Sequence, residues 1–109
     1  MDIDPSTLNM DLEDLERKMT PNTKAIMGVH WGGYPLDLDE IKGVQKRFKE
    51  KHGWSPILIE DGAHSMDTKY KGKFLGNHGN FVMNSFQAIK HITSVDGGLL
   101  YYPTKEMTE

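Results

Sequence analysis

Two short apolar runs, residues 23–29 (Thr-Lys-Ala-Ile-Met-Gly-Val) and 56–59 (Pro-Ile-Leu-Ile), flank a stretch of helical periodicity. This strand, helix, strand order constrains the fold more than any other feature. Largely unbroken apolar character is what a strand shows when a sheet is covered on both faces, as parallel sheets are. Between the runs, Leu38, Ile41, Val44, Gln45 and Phe48 recur near helical spacing as far as Gly53, a helix stop. Short buried strands alternating with helices indicate the α/β class.

The flanking segments extend that pattern. Residues 9–19 offer a polar cap, acids in the first turn, bases in the last, and Leu12, Leu15 and Met19 on one stripe, with Pro21 closing the helix. Residues 30–35 are dense in turn formers. Residues 62–79 hold four glycines, scattered polar residues and a short hairpin around residues 70–74. Strand character returns at residues 80–86 and again after Asp96, Gly97 and Gly98, before Pro103. The predicted order is helix, strand, helix, strand, strand, strand.

A length of 109 residues, 37% hydrophobic and 27% charged, suits one ordinary soluble domain with a modest core. Lys and Arg total 13 against 16 for Asp and Glu, a net charge of −3, and no single-sign block stands out. Lys46, Arg47, Lys49 and Lys51 fall on the wet side of the second helix, so nothing points to nucleic acid. The absence of cysteine excludes disulfides, thiolate zinc sites and cysteine nucleophiles, and fits a cytoplasmic home. The start has neither a basic region nor an apolar run, and no stretch approaches the ~20 apolar residues of a membrane helix. Secretion and membrane insertion are not expected.

Ligands of α/β folds bind beyond the carboxyl ends of the strands. That rule selects the loops after Val29, Glu60 and Phe86, and with them His30, Asp61, His64, Ser85 and Lys90. Asp61 follows three large aliphatics, so its carboxylate is partly desolvated and needs a cation: a protonated heterocycle nitrogen, or else a helix cap or structural ion pair. Lys90, on a loop before flexible residues 94–98, is either an inward amine that attacks a carbonyl or an ordinary solvated lysine. Ser85 can offer a hydroxyl to phosphate, and His64 can bond or stack on a planar ligand. The five histidines show no metal-ligand spacing, and neither a serine-hydrolase elbow nor a dinucleotide glycine fingerprint is present.

Residues 59–65 (Ile-Glu-Asp-Gly-Ala-His-Ser), 70–73 (Tyr-Lys-Gly-Lys), 84–93 (Asn-Ser-Phe-Gln-Ala-Ile-Lys-His-Ile-Thr) and 96–98 (Asp-Gly-Gly) together resemble the DegT/StrS sugar aminotransferases. Residues 20–26 and 30–39 carry the likeness toward the start of the chain. The resemblance implies part of a three-layer α/β sandwich with a mainly parallel sheet, the large domain of fold type I pyridoxal-phosphate enzymes. It implies that Lys90 holds pyridoxal 5'-phosphate covalently, Asp61 faces the pyridine nitrogen, His64 approaches the ring oxygen and Ser85 contacts the phosphate. His30 is a candidate for the pocket wall.

The resemblance further implies transfer of an amino group, from glutamate, to a nucleotide-linked keto-sugar by a homodimeric enzyme. A lysine at position 90 disfavours the related dehydratases, which have histidine there. Full members are about three times longer, so residues 1–109 are expected to be a fragment of the cofactor-binding domain, without the earlier phosphate cup and the later small domain. The alternative is a non-catalytic α/β fragment or partner-binding module derived from such an enzyme.

Overall fold

The first helix, α1 (Leu12–Lys18), begins where the Asp11 side chain accepts a hydrogen bond from Asp14 N–H. Asn9, at the start of the polar stretch, does something else: its amide donates to Tyr34 O at 3.0 Å and its oxygen accepts from Trp31 N–H at 2.9 Å. The amino-terminal segment is thereby pinned to the loop after the first strand. In this computed structural model, residues 1–76 and 78–102 are described, and the predicted stop at Pro103 lies outside them.

Strand β1 (Ala25–Val29) leads through a 3-10 turn at Trp31–Gly33 into α2 (Leu38–His52). Asp37 caps α2 by accepting from Glu40 N–H at 3.0 Å, and Gly53 ends it with a φ of 79°, which a residue with a Cβ adopts only at a cost. Strand β2 (Ile57–Asp61), the hairpin β3 (Lys69–Tyr70) and β4 (Lys73–Phe74), strand β5 (Phe81–Ser85) and strand β6 (Gly98–Tyr101) follow. The main sheet has the order β1-β2-β5-β6, in which β1, β2 and β5 are parallel and β6 runs antiparallel to β5.

Side chains alternate across each strand, so register decides which residues meet. Gly28, Glu60 and Val82 lie side by side on one face, and Val29, Asp61 and Met83 on the other. Ile26 and Leu58 join Leu15, Leu36, Leu38, Ile41 and Val44 in one buried cluster between the sheet and the two helices. Each such side chain contributes roughly 1.5–3 kcal/mol through removal from water.

The expectation that the first strand is buried on both faces is not met. Met27 is 49% exposed and, on β6, Leu100 is 54% exposed, because both helices pack on the opposite face of the sheet. The described residues thus form two layers, a sheet and one helical layer. Among them, no helix is long and apolar enough to cross a membrane.

Candidate active site at the carboxyl edge of the sheet

The parallel strands deliver their carboxyl ends to one edge. Asp61 and Ser85 are the last residues of β2 and β5, not members of the following loops. Asp61 lies opposite Met83, and Ser85 is two residues further along β5, so both occupy the face away from the helices. Both are half-buried.

Asp61 is held by its own loop. Its Oδ1 accepts from Ala63 N–H at 3.0 Å, and Gly62 N–H donates to Met83 O at 2.7 Å. Gly62 has no room for a side chain, since a Cβ there would stand 2.7 Å from Asn84 Oδ1. The second oxygen of Asp61 has no hydrogen-bond partner among the described residues.

His64 is half-buried beside the 3-10 turn. Its ring meets Trp31 edge-on at 5.3 Å between centroids, and its Nδ1 accepts weakly from Gly32 N–H at 3.4 Å. Thr68 Oγ1 donates to Gly33 O at 3.0 Å, tying the loop after β2 to the loop after β1. Ser85 Oγ accepts from Gln87 N–H at 3.3 Å, and its own proton is available to an acceptor.

Lys90 lies half-buried in the arch between β5 and β6. Three bonds close this arch: Phe86 N–H to Gly97 O at 2.9 Å, Ser94 N–H to Phe86 O at 3.0 Å, and Lys90 N–H to Gln87 O at 2.9 Å. Asp61 and Ser85 thus end neighbouring parallel strands, with His64 and Lys90 in the segments that follow them.

His30 departs from its expected place. It is fully buried, and it lines a cavity of about 420 Å³ with Ser65, Leu75, Val82 and Asn84 on the helix-covered face, not on the face of Asp61. Its Nδ1 accepts from Leu36 N–H at 3.1 Å and its Nε2 lies 3.2 Å from Glu60 Oε2. A cleft of about 560 Å³ between the amino-terminal segment and the start of α2 is lined by none of His30, Asp61, His64, Ser85 and Lys90.

The DegT/DnrJ/EryC1/StrS aminotransferase family model matches residues 1–109. The chain belongs to this family. It is similar to AtS13 from Actinomadura melliaura, at 53% identity and a TM-score of 0.94 over 98% of this chain and 29% of that one. The sugar aminotransferase CalS13 from Micromonospora echinospora is 42% identical with a TM-score of 0.92, covering 98% of this chain and 29% of its own. ColD, a GDP-4-keto-6-deoxymannose-3-dehydratase in a structure with bound GDP-perosamine, is 33% identical with a TM-score of 0.84, over 98% of this chain and 26% of that chain. The chain thus spans less than a third of the length of these relatives.

The sheet and its helical layer accordingly match a fragment of the large domain of aminotransferases of this family. One residue of interest escaped the sequence reading. Glu60 is fully buried, with its carboxylate beneath the sheet. Its signal was parity: Glu60 alternates in step with Leu58, a core position, so an acid there requires partners inside the protein.

Proposed function

We propose that the protein carrying this segment transfers an amino group from L-glutamate to a nucleotide-linked keto-sugar, using pyridoxal 5'-phosphate held by Lys90, Asp61, His64 and Ser85. The observation that carries this reading is Asp61: a half-buried carboxylate at the end of a parallel strand, with one oxygen accepting a single backbone N–H and the other without a partner among the described residues. The donor set suits the cofactor, since a carboxylate matches a ring N–H, a hydroxyl matches a phosphate oxygen and a primary amine matches a carbonyl carbon. Family membership supports the aminotransferase class, and the GDP-perosamine held by the similar ColD supports a nucleotide-linked substrate.

When bound, pyridoxal phosphate supplies a carbonyl and a ring that accepts the electron pair of the donor's Cα–H bond. Asp61 would hold a proton on the ring nitrogen, which would keep that ring electron-poor. Ser85 Oγ–H would donate to a phosphate oxygen and help hold the group at the end of β5. His64, braced by Trp31, would bond to the ring oxygen. Lys90 Nζ would hold the cofactor's carbonyl carbon until the donor's amine displaces it, and the freed amine would then serve as general base for the donor's Cα–H and as general acid afterwards. The exposed Ile89, Ile92 and Val95 around Lys90 suit a second subunit, and the enzyme acts as a cytoplasmic homodimer.

The test uses the full-length protein. After loading with pyridoxal phosphate and reduction with borohydride, peptide mapping places the added mass on Lys90 alone, and L-glutamate is converted to 2-oxoglutarate in step with amination of a nucleotide-linked keto-sugar. A Lys90→Ala protein that still bound the cofactor covalently and turned over would overturn the assignment.

A further inference from the structure

Glu60 and Asp61 are adjacent in β2 and therefore project to opposite faces of the sheet. Asp61 stands on the uncovered face, while Glu60 is fully buried on the other. The Glu60 carboxylate receives three donors. Oε2 lies 3.2 Å from His30 Nε2, and Oε1 accepts from His78 N–H at 2.9 Å and from Gly79 N–H. His30 in turn receives Leu36 N–H on Nδ1 at 3.1 Å. A backbone amide only donates, so Nδ1 is the bare nitrogen, the proton sits on Nε2, and that proton points at Glu60.

The backbone repeats the link. His30 N–H donates to Asp61 O at 3.1 Å, and on the other side Gly62 N–H donates to Met83 O at 2.7 Å. The end of β2 is thus gripped from the loop after β1, from β5, and from residues 78 and 79 through the Glu60 carboxylate. Two glycines make the grip possible. A Cβ on Gly28, opposite Glu60 in register, would stand 2.6 Å from Leu36 Cδ1, and a Cβ on Gly79 would stand 3.0 Å from Glu60 Oε1.

We propose that the buried His30–Glu60 pair is a positioning device for Asp61, fixing from behind the sheet the height and direction of the carboxylate that faces the cofactor. The inference rests on the cofactor role given to Asp61 above. A packed apolar pair at this place would serve stability as well as a buried carboxylate and its imidazole donor or better, so a directed chain of donors and acceptors is best accounted for by placement. Burial pushes the Glu60 carboxyl upward, but the bonds from His30, Gly79 and His78 outweigh it and keep the group below its ordinary range, a carboxylate at neutral pH.

The donor order makes the device testable in the full-length protein. In Glu60→Gln the side-chain oxygen still serves the amides of residues 78 and 79, but its NH2 meets the His30 Nε2–H. Reversing the ring tautomer only transfers the conflict to Leu36 N–H. In His30→Gln the order survives, because the amide oxygen can accept from Leu36 and the NH2 can donate to Glu60, whereas His30→Leu removes it. Equilibrium dialysis of the apoproteins against pyridoxal phosphate is expected to show about 10- to 100-fold weaker binding for Glu60→Gln and His30→Leu, with a shifted visible band, and near wild-type binding for His30→Gln.

Hydrogen exchange of the cofactor-free proteins supplies an independent reading: the Gly62 and Ala63 amides, which frame Asp61, exchange faster in Glu60→Gln than in wild type or His30→Gln. Should His30→Leu fail to fold, the contrast between the two glutamine variants decides the matter. Folded Glu60→Gln protein with wild-type cofactor affinity, spectrum and exchange at Gly62 and Ala63 overturns the inference. A wild-type protein that binds no cofactor while the exchange contrast holds overturns the proposed function alone.

Discussion

Gly79 sits among three oxygens that leave no space for a side chain. A Cβ there would lie 2.9 Å from Leu58 O and 3.0 Å from both Phe81 O and Glu60 Oε1, and two of these three oxygens belong to the backbone. At Gly28 the closest atom is the end of a leucine side chain, which can rotate away. Gly79→Ala is therefore expected to lower stability by about 2–3 kcal/mol, as overpacking in a core does. Gly28→Ala should cost about 1 kcal/mol, the price of one displaced rotamer. Urea unfolding of the two variants checks the order. At this scale the sequence was partly legible: Asp61, Ser85, His64 and Lys90 follow from strand-end position together with family resemblance, whereas the partner of His30 does not. Residues 30 and 60 meet only through the register of β1 against β2, and register is a tertiary fact that no local window contains.

The elements were more legible than their surroundings. Helix α2 shows its stripe, its cap and its stop in the linear chain, and it forms between Asp37 and Gly53 as the spacing predicts. Asp37 does double service, accepting from Glu40 N–H at 3.0 Å and from Tyr70 Oη–H at 2.7 Å across to the hairpin. Asp37→Ala is expected to destabilise by about 1 kcal/mol through the lost cap, with additional loosening of the β3–β4 hairpin visible as faster exchange at Tyr70 and Lys73. Gly53→Ala forces a Cβ into the left-handed region and should cost a further ~1 kcal/mol, read from the urea midpoint. What could not be read was the coverage of the strands. A run such as Ile57-Leu58-Ile59 is apolar on both faces whichever face the helices choose, so the sequence reports that a strand is buried without saying by what.

The whole molecule is a slab. Its principal extents are 44 × 40 × 26 Å and its radius of gyration is 14.5 Å, above the ~13 Å typical of a closed domain of this length. The excess follows from a sheet with helices on one side only. Acid should loosen the slab through two carboxyls. Lys18, the Asp2 amide and Arg17 hold the Asp14 carboxyl well below its usual range, and Glu60 is lowered by the His30 and backbone bonds that outweigh burial. A carboxyl depressed in the folded state contributes fully above its unfolded value, here 4.5 for Glu60 and 3.8 for Asp14, and its contribution is lost as pH falls through the folded value. Stability should accordingly hold level above this range and decline below it. Asp14→Asn should be less stable than wild type at neutral pH, with the gap closing below pH 3.8 in thermal melts across pH.

The neighbouring acids at the end of β2 also bear on how the chain finds its own alignment. Leucine and isoleucine alternate through Ile57, Leu58 and Ile59, so a slip of β2 by a single residue would trade one set of aliphatic side chains for another of nearly equal bulk. Apolar patterning alone leaves the two alignments close in free energy. The acids break that degeneracy, since Asp61 in the place of Glu60 is one methylene short of the His30 imidazole and of the amides of residues 78 and 79. A buried charge without its donors is among the most costly errors a folding chain can make. Glu60 is thereby the tooth that lets the strand engage its neighbours in only one position.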